Sequence, residues 1–256
     1  MRRNDPAFAY AQARLQSRYG ARPGAAEWSH IAATADLGAL LQVLRSSPLS
    51  RWVGRVGPRP GVHEIERRLR EEWLRSVEEV AGWQPEPWRD GVLWLRWIAY
   101  LPALQKLARG GRAFAWMRDD PVLGPIVARE PRERASALRR TPLAPLAAGF
   151  PPPHDVAGTW TRHWRQLWPG HHPGRAPLEA LLRATTEQRH LLAGMPDDAY
   201  SSDALRGLER RFQLGFRRNP LSPAAAVAYV GLLALDLRRL RGALATRALR
   251  ESAAAA

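Results

Sequence analysis

The sequence predicts an all-α, multi-helix protein. Apolar residues recur at three- and four-residue steps along most of the chain, whereas period-two alternation is missing and β-branched residues are sparse. Prolines and glycines stand where helices begin and end. The last stretch, Pro223 to Arg250, reads as one long helix: Tyr229, Leu232, Leu233, Leu237, Leu240 and Leu244 share a face, and Asp236 lies on it between Leu232 and Leu240. A buried acid needs a hydrogen bond or a cation. Arg239, three residues on, is one candidate partner on the same helix.

Taken in order, Asp5-Pro6 supplies a cap and a first-turn proline for a helix running to about Tyr19. A short helix covers Ala25 to Ala33. Asp36 caps the next, Leu37 to Arg45, whose stripe is Leu37, Leu40, Leu41 and Leu44, and Pro48 ends it. Gly54 to Gly61 is a loop. His63 to Trp83 is strongly amphipathic, with Ile65, Leu69, Trp73, Val77 and Val80 inward and a Glu71–Arg75 pair on the polar side. Pro87 to Arg109 reads as a central helix bent or broken at Pro102. Prolines then recur as far as Pro153, predicting short helices and turns. Pro151-Pro152-Pro153 marks a boundary between N-terminal helical lobes (1–150) and a C-terminal lobe (151–256) within one continuous structural unit. Val156 to Trp168, Leu178 to Leu192 and Ser202 to Arg218 read as helices, the last capped by Ser202 or Asp203. Residues 252–256 are expected to form a disordered tail.

The formal net charge is +15, from 39 basic and 24 acidic residues, and the sole lysine is Lys106. An arginine excess of this kind, with abundant alanine, glycine and proline, reads as the codon bias of a GC-rich genome more than as a nucleic-acid surface. There is no cysteine, which excludes disulfides, thiolate zinc sites and cysteine nucleophiles. No apolar run reaches the roughly 18 residues of a spanning helix, and none near the N-terminus has signal-peptide length.

Candidate chemistry is sparse. His154, His163, His171 and His172 cluster in sequence without the spacing of a ligand motif. His63-Glu64 begins like a zincin motif, but Arg67 stands where the second histidine belongs. Asp119-Asp120 and Asp197-Asp198 sit beside prolines and read as caps. Trp160, Trp164 and Trp168, four apart, read as helical packing before they read as a stacking platform. Phosphate-binding loops, nucleophile elbows and kinase signatures are absent. Neither catalysis nor a cofactor or metal is expected.

One resemblance emerges from motif order. Tyr10-Ala-Gln-Ala-Arg14-Leu15 resembles the opening helix of the C subunit of bacterial and archaeal V-type (A-type) ATPases, whose eukaryotic counterpart is the d subunit. Asp36-Leu37 to Leu44, followed by Ser47-Pro48-Leu49, is similar to that family's Asp-Leu-initiated helix and its Thr-Pro-Tyr-like turn. His63-Glu-Ile-Glu-Arg-Arg-Leu69-Arg is similar to its Ile-Glu helix, and Tyr229 to Arg241 to its C-terminal segment of tyrosine, acid and Leu-Arg. The likeness covers about the first 80 and the last 35 residues. It implies a divergent, short bacterial member: a non-catalytic rotor adaptor with a lobed, funnel-like arrangement of three similar helical lobes that receives the central-stalk D and F subunits, caps the membrane proteolipid ring and couples ATP turnover to proton or sodium transport. It would be cytoplasmic, peripheral to the inner membrane through that complex. Tyr10, Arg14, Asp236, Leu240 and Arg241 fall on family positions, with structural or interface roles implied. Three rivals remain: a helical interaction protein of unknown partner, a basic nucleic-acid-binding protein, and a helical enzyme built on the histidine cluster.

Overall fold

The computed structural model describes residues 6–183 and 203–254, and all regular structure among them is helical, without a strand. They fall into two compact units, one comprising Met1–Leu93 with Gly170–Ala256 and the other Trp94–Pro169. The Pro151–Pro153 segment thus lies inside the second unit. The chain changes unit instead at Leu93–Trp94 and at Pro169–Gly170.

The first unit contains α1 (Ala9–Gly20), α2 (Ala25–Ala33), α3 (Leu37–Arg45), α4 (Ser50–Val53), α5 (Val62–Gly82) and α6 (Glu86–Leu93). A short 3₁₀ turn, Pro6–Phe8, precedes α1, and the expected Asp5 cap lies outside the described residues. Asp36 caps α3 as its position predicts, accepting from the Ala39 amide at 2.7 Å. On α5 the stripe Ile65, Leu69, Trp73, Val77 and Val80 is buried. Arg75 does meet Glu71, but through the backbone, its Nε donating to the Glu71 carbonyl at 3.2 Å, while the side-chain ion pairs form otherwise. Glu71 receives Arg68 at 3.0 Å, and Arg75 reaches Glu72 at 3.2 Å.

The apolar run from Pro87 is three elements rather than one bent helix. After α6 the chain tightens into a 3₁₀ segment, Trp94–Tyr100, and resumes as α7 (Leu101–Ala108). Pro102 occupies the first turn of α7, where its missing N–H costs nothing, whereas in a continuous helix its ring would strike the carbonyl four residues back. Three residues per turn bring positions three apart into line. Trp94, Trp97 and Tyr100 are all buried.

The second unit continues with α8 (Gly124–Val127), α9 (Arg134–Leu138) and α10 (Val156–Gln166). As expected of adjacent aspartates before a proline, Asp120 caps a turn, accepting from the Val122 and Leu123 amides at 2.9 and 3.0 Å. Trp160, Trp164 and Trp168 are core residues, with consecutive rings 5.3 and 4.9 Å apart. Gly149 lets α10 approach the preceding 3₁₀ segment, Ala144–Gly149: a Cβ there would meet the Asp155 carbonyl at 2.7 Å.

The first unit resumes with α11, helical over 175–183 and so beginning before Leu178, then α12 (Asp203–Arg218) and α13 (Pro223–Ala254). The caps expected at Ser202 and Asp203, the Asp197-Asp198 pair and the remainder of the helix to Leu192 lie outside the described residues or side chains. The 32-residue α13 organises the unit, packing on α12, α5, α1, α3 and α6. It continues as helix to Ala254, so the expected tail from 252 does not begin there; the Ser252 hydroxyl donates to the Ala248 carbonyl at 2.9 Å within the last turn. Ala224 to Val230 are buried on every side, which suits their small side chains. Further on, burial narrows toward a stripe through Asp236, Leu240, Leu244 and Ala248. Gly231 makes room for α12, because a Cβ there would lie 2.5 Å from the Phe212 ring.

Candidate functional site

The most unusual chemistry among the described residues is the buried acid of α13. Asp236 is 1 % exposed, and its partner is Arg22, in the turn after α1, rather than Arg239. Arg22 Nε donates to Asp236 Oδ2 at 2.7 Å and Nη2 to Oδ1 at 2.9 Å, a two-pronged geometry that suits a planar guanidinium. Glu209 of α12 continues the network, receiving Arg22 at 3.5 Å and Arg239 at 2.7 Å. Arg239 in turn lies 5.7 Å from the centre of the Trp28 ring. Burial alone would lower the Arg22 guanidinium, but the hydrogen bonds and charge of Asp236 raise it above its ordinary value. Burial holds the more deeply sunk Asp236 carboxyl above its ordinary value, against the pull of Arg22.

A second network crosses α1, α4 and α5. Arg51 donates to Glu72 at 2.9 Å and to Glu79 at 3.2 Å, and Arg18 donates to Glu79 at 2.6 Å. Tyr229 of α13 is buried within the electrostatic reach of these groups. Burial pushes its phenol up to about 12.

At its far end α13 fastens two other helices. Arg247 donates to the carbonyls of Ile31, Ala32 and Thr34 at 2.9, 3.2 and 2.6 Å. It thereby occupies the unpaired carbonyl end of α2, where a cation also suits the helix dipole. Glu251 accepts from the Leu37 amide at 3.0 Å, at the opening of α3. Nothing in the local sequence marks Arg247 for this task, since an arginine in a helix reads as part of its polar face.

The remaining motif positions are dispersed. Tyr10 is 63 % exposed on α1, Arg14 lies 5.3 Å from the Trp83 ring centre, Leu240 is fully buried, and Arg241 pairs with Glu66 of α5. The histidines do not form one cluster. Within the second unit, His154 Nδ1 contacts the Phe150 carbonyl at 2.6 Å and the His163 ring meets Trp94 at 4.5 Å. His172, in the first unit, sits edge-on to Trp88 at 5.2 Å. Among the described residues no group of three histidine, aspartate or glutamate side chains gathers as a metal site, and no helix is long and apolar enough to cross a membrane.

A cleft of about 430 Å³ opens between the end of α13, the start of α3 and the 58–61 loop, lined by Asp36, Arg59 and Glu251 among others. Both acids are engaged as caps of α3. Asp236 is likewise committed at both oxygens. Glu251 and Asp236 tie distant parts of the chain together, and Asp36 caps its own helix.

Comparison with protein-family models, with curated proteins and with solved structures found no match.

Proposed function

We propose that this chain is a non-catalytic rotor adaptor of a V-type (A-type) ATPase, joining the D and F subunits of the central stalk to the membrane proteolipid ring and so passing torque between ATP turnover and ion transport. The observation that carries the reading is the convergence of its motif-bearing segments. The opening helix α1, the Asp36-capped α3, the Ile65 helix α5 and the Tyr229–Arg241 stretch of α13 lie far apart in sequence, yet all belong to one unit in which α13 packs on the other three. Arg22 and Asp236, 214 residues apart, lock the two ends of that set. A torque-bearing adaptor needs such a braced body and has no use for a reaction centre. Buried charge pairs joining distant segments resist slippage, because separating them strands a charge.

The test is affinity capture of the tagged chain from gently solubilised membranes of its own source. Co-recovery of V-type stalk subunits and the proteolipid ring is the expected result. Recovery of unrelated proteins or nucleic acid without them would overturn the reading.

A further inference from the structure

The chain leaving α7 gathers positive charge around an exposed aromatic ring. Gly110, at φ 75°, turns it out of the helix. Two amides close the turn, Gly110 donating to the Leu107 carbonyl at 3.1 Å and Gly111 to that of Lys106 at 3.0 Å. Gly111 lies against the Lys106 stem, where a Cβ would come within 2.7 Å of Cγ. The returning chain sets Phe114 against the Lys106 ammonium, which stands 3.8 Å from the ring centre. With one face so occupied, Phe114 is still 50 % exposed. Arg109, Arg112 and Arg118 are exposed too, and among the described residues none of these three side chains has a carboxylate partner. Arg134 of α9 pins the base of the turn from within. It is 6 % exposed, and its Nη1 donates to the carbonyls of Leu107 and Gly111 at 3.3 and 3.0 Å. Its Nε is buried without a hydrogen bond, and among the described residues no carboxylate meets its charge. Residues 94–169 hold twelve basic and five acidic side chains, so the acids of this unit are too few to balance its cations.

We propose that the 109–118 segment is a binding site for single-stranded nucleic acid, with Phe114 stacking a base and the cations around it meeting the adjoining phosphates. Such sites pair an aromatic platform with a cationic track and tolerate any sequence, because every base has a flat face. Both parts are present here within a short reach. Arg112 stands two residues from Phe114, about 7 Å at full extension, and Arg109 lies one helical turn beyond Lys106. The buried Arg134 adds positive potential beneath the site, where low dielectric strengthens its pull on a phosphate. A membrane is the poorer match: insertion needs a broad apolar face, and this segment exposes one large apolar side chain, Phe114. An acidic protein would use the arginines but has no use for a bare ring among them. Duplex DNA keeps its bases stacked on one another and so leaves the ring idle. The proposal goes beyond the rotor reading and stands independently of it.

The experiment measures binding of the full chain to a fluorescent single-stranded oligothymidylate of about 12 nucleotides. Duplex DNA of the same length, anionic phospholipid vesicles and polyglutamate serve as comparison probes. Wild type should bind the single strand most tightly. F114A should weaken that binding by about fivefold or more. F114L should lose nearly as much, since stacking needs the ring, whereas a merely apolar contact would survive in it. R109Q/R112Q should weaken binding by roughly tenfold and make the fall of log K with log salt shallower by about 1.4, the share of two phosphate contacts on a single strand. R55Q/R59Q, the same charge change on exposed arginines of the first unit, should leave binding within about twofold if the interaction is local. Circular dichroism confirms that each variant is folded. Wild-type affinity in F114A or F114L, equal losses from the two double substitutions, absence of binding to the single strand, or tighter binding to any comparison probe would each overturn the proposal.

Discussion

At the residue scale, the Arg22–Asp236 fork makes a sharp prediction. Removing one partner strands a charge in the interior, so Asp236→Leu or Arg22→Leu should each destabilise the fold by about 3–5 kcal/mol. The double substitution should be closer to wild type than either single one, because two apolar groups leave nothing unpaired. Urea unfolding of the four proteins of this cycle measures it; additive losses would contradict the role assigned to the pair. Tyr229 gives a pH dependence. Its phenol titrates near 10 in the unfolded chain and at about 12 in the fold. Between those values the native state holds the proton more tightly than the unfolded state does. Stability from this group is therefore complete below about pH 10 and lost as pH rises toward 12. Tyr229→Phe should flatten that part of the alkaline stability curve. The sequence made Asp236 visible as an acid on an apolar face and left Arg22 hidden. Helical periodicity reports only on neighbours within a turn or two, and Arg22 stands in a turn at the other end of the chain. Arg247 escaped notice for a related reason: the carbonyls of Ile31, Ala32 and Thr34 that it reaches lie at the end of another helix.

At the scale of elements, the contact between α12 and α13 depends on Gly231. An alanine there would gain up to about 1 kcal/mol of helix propensity. Its methyl would nevertheless enter the Phe212 ring, and crowding of that kind costs about 1–3 kcal/mol. Gly231→Ala should therefore lower the thermal midpoint, and adding Phe212→Leu should recover part of the loss. A rise in stability from Gly231→Ala alone would contradict the geometry. Most helices were legible: α2 spans the expected Ala25 to Ala33, α3 begins and ends where its cap and stripe place it, and α5 does so within a residue. The 3₁₀ segment Trp94–Tyr100 was not, because an apolar run buried on several sides has no periodicity to distinguish three residues per turn from 3.6. The small helix α4 was missed because four residues are too few to show a pattern.

At the scale of the molecule, the first unit is built from both ends of the chain, with the second inserted between them. Helical class was readable from composition and period. The division was not, since Pro151–Pro153 looks like a boundary in sequence, whereas the real change of unit passes through the unbroken apolar run at Leu93–Trp94. Because α13 packs on α1, α3, α5, α6 and α12, a chain ending at Ser222 should lose the first unit. Hydrogen exchange should then show α1, α3 and α5 unprotected, while amides of 94–169 keep their protection. Loss of protection in both units together would show that they fold as one.

The central place of α13 also carries a consequence for biosynthesis. The first 93 residues leave the ribosome without the helix that completes their core. At about 5–20 residues per second, roughly 8–33 seconds pass before residue 256 is added. During that interval Leu40, Leu44, Leu69 and Trp73, all buried in the finished fold, await their last covering element. Residues 94–169, complete in themselves, can fold while synthesis continues. The nascent first unit is thus the stretch on which chaperones that shield apolar surface would act, and its release coincides with the emergence of the last helix.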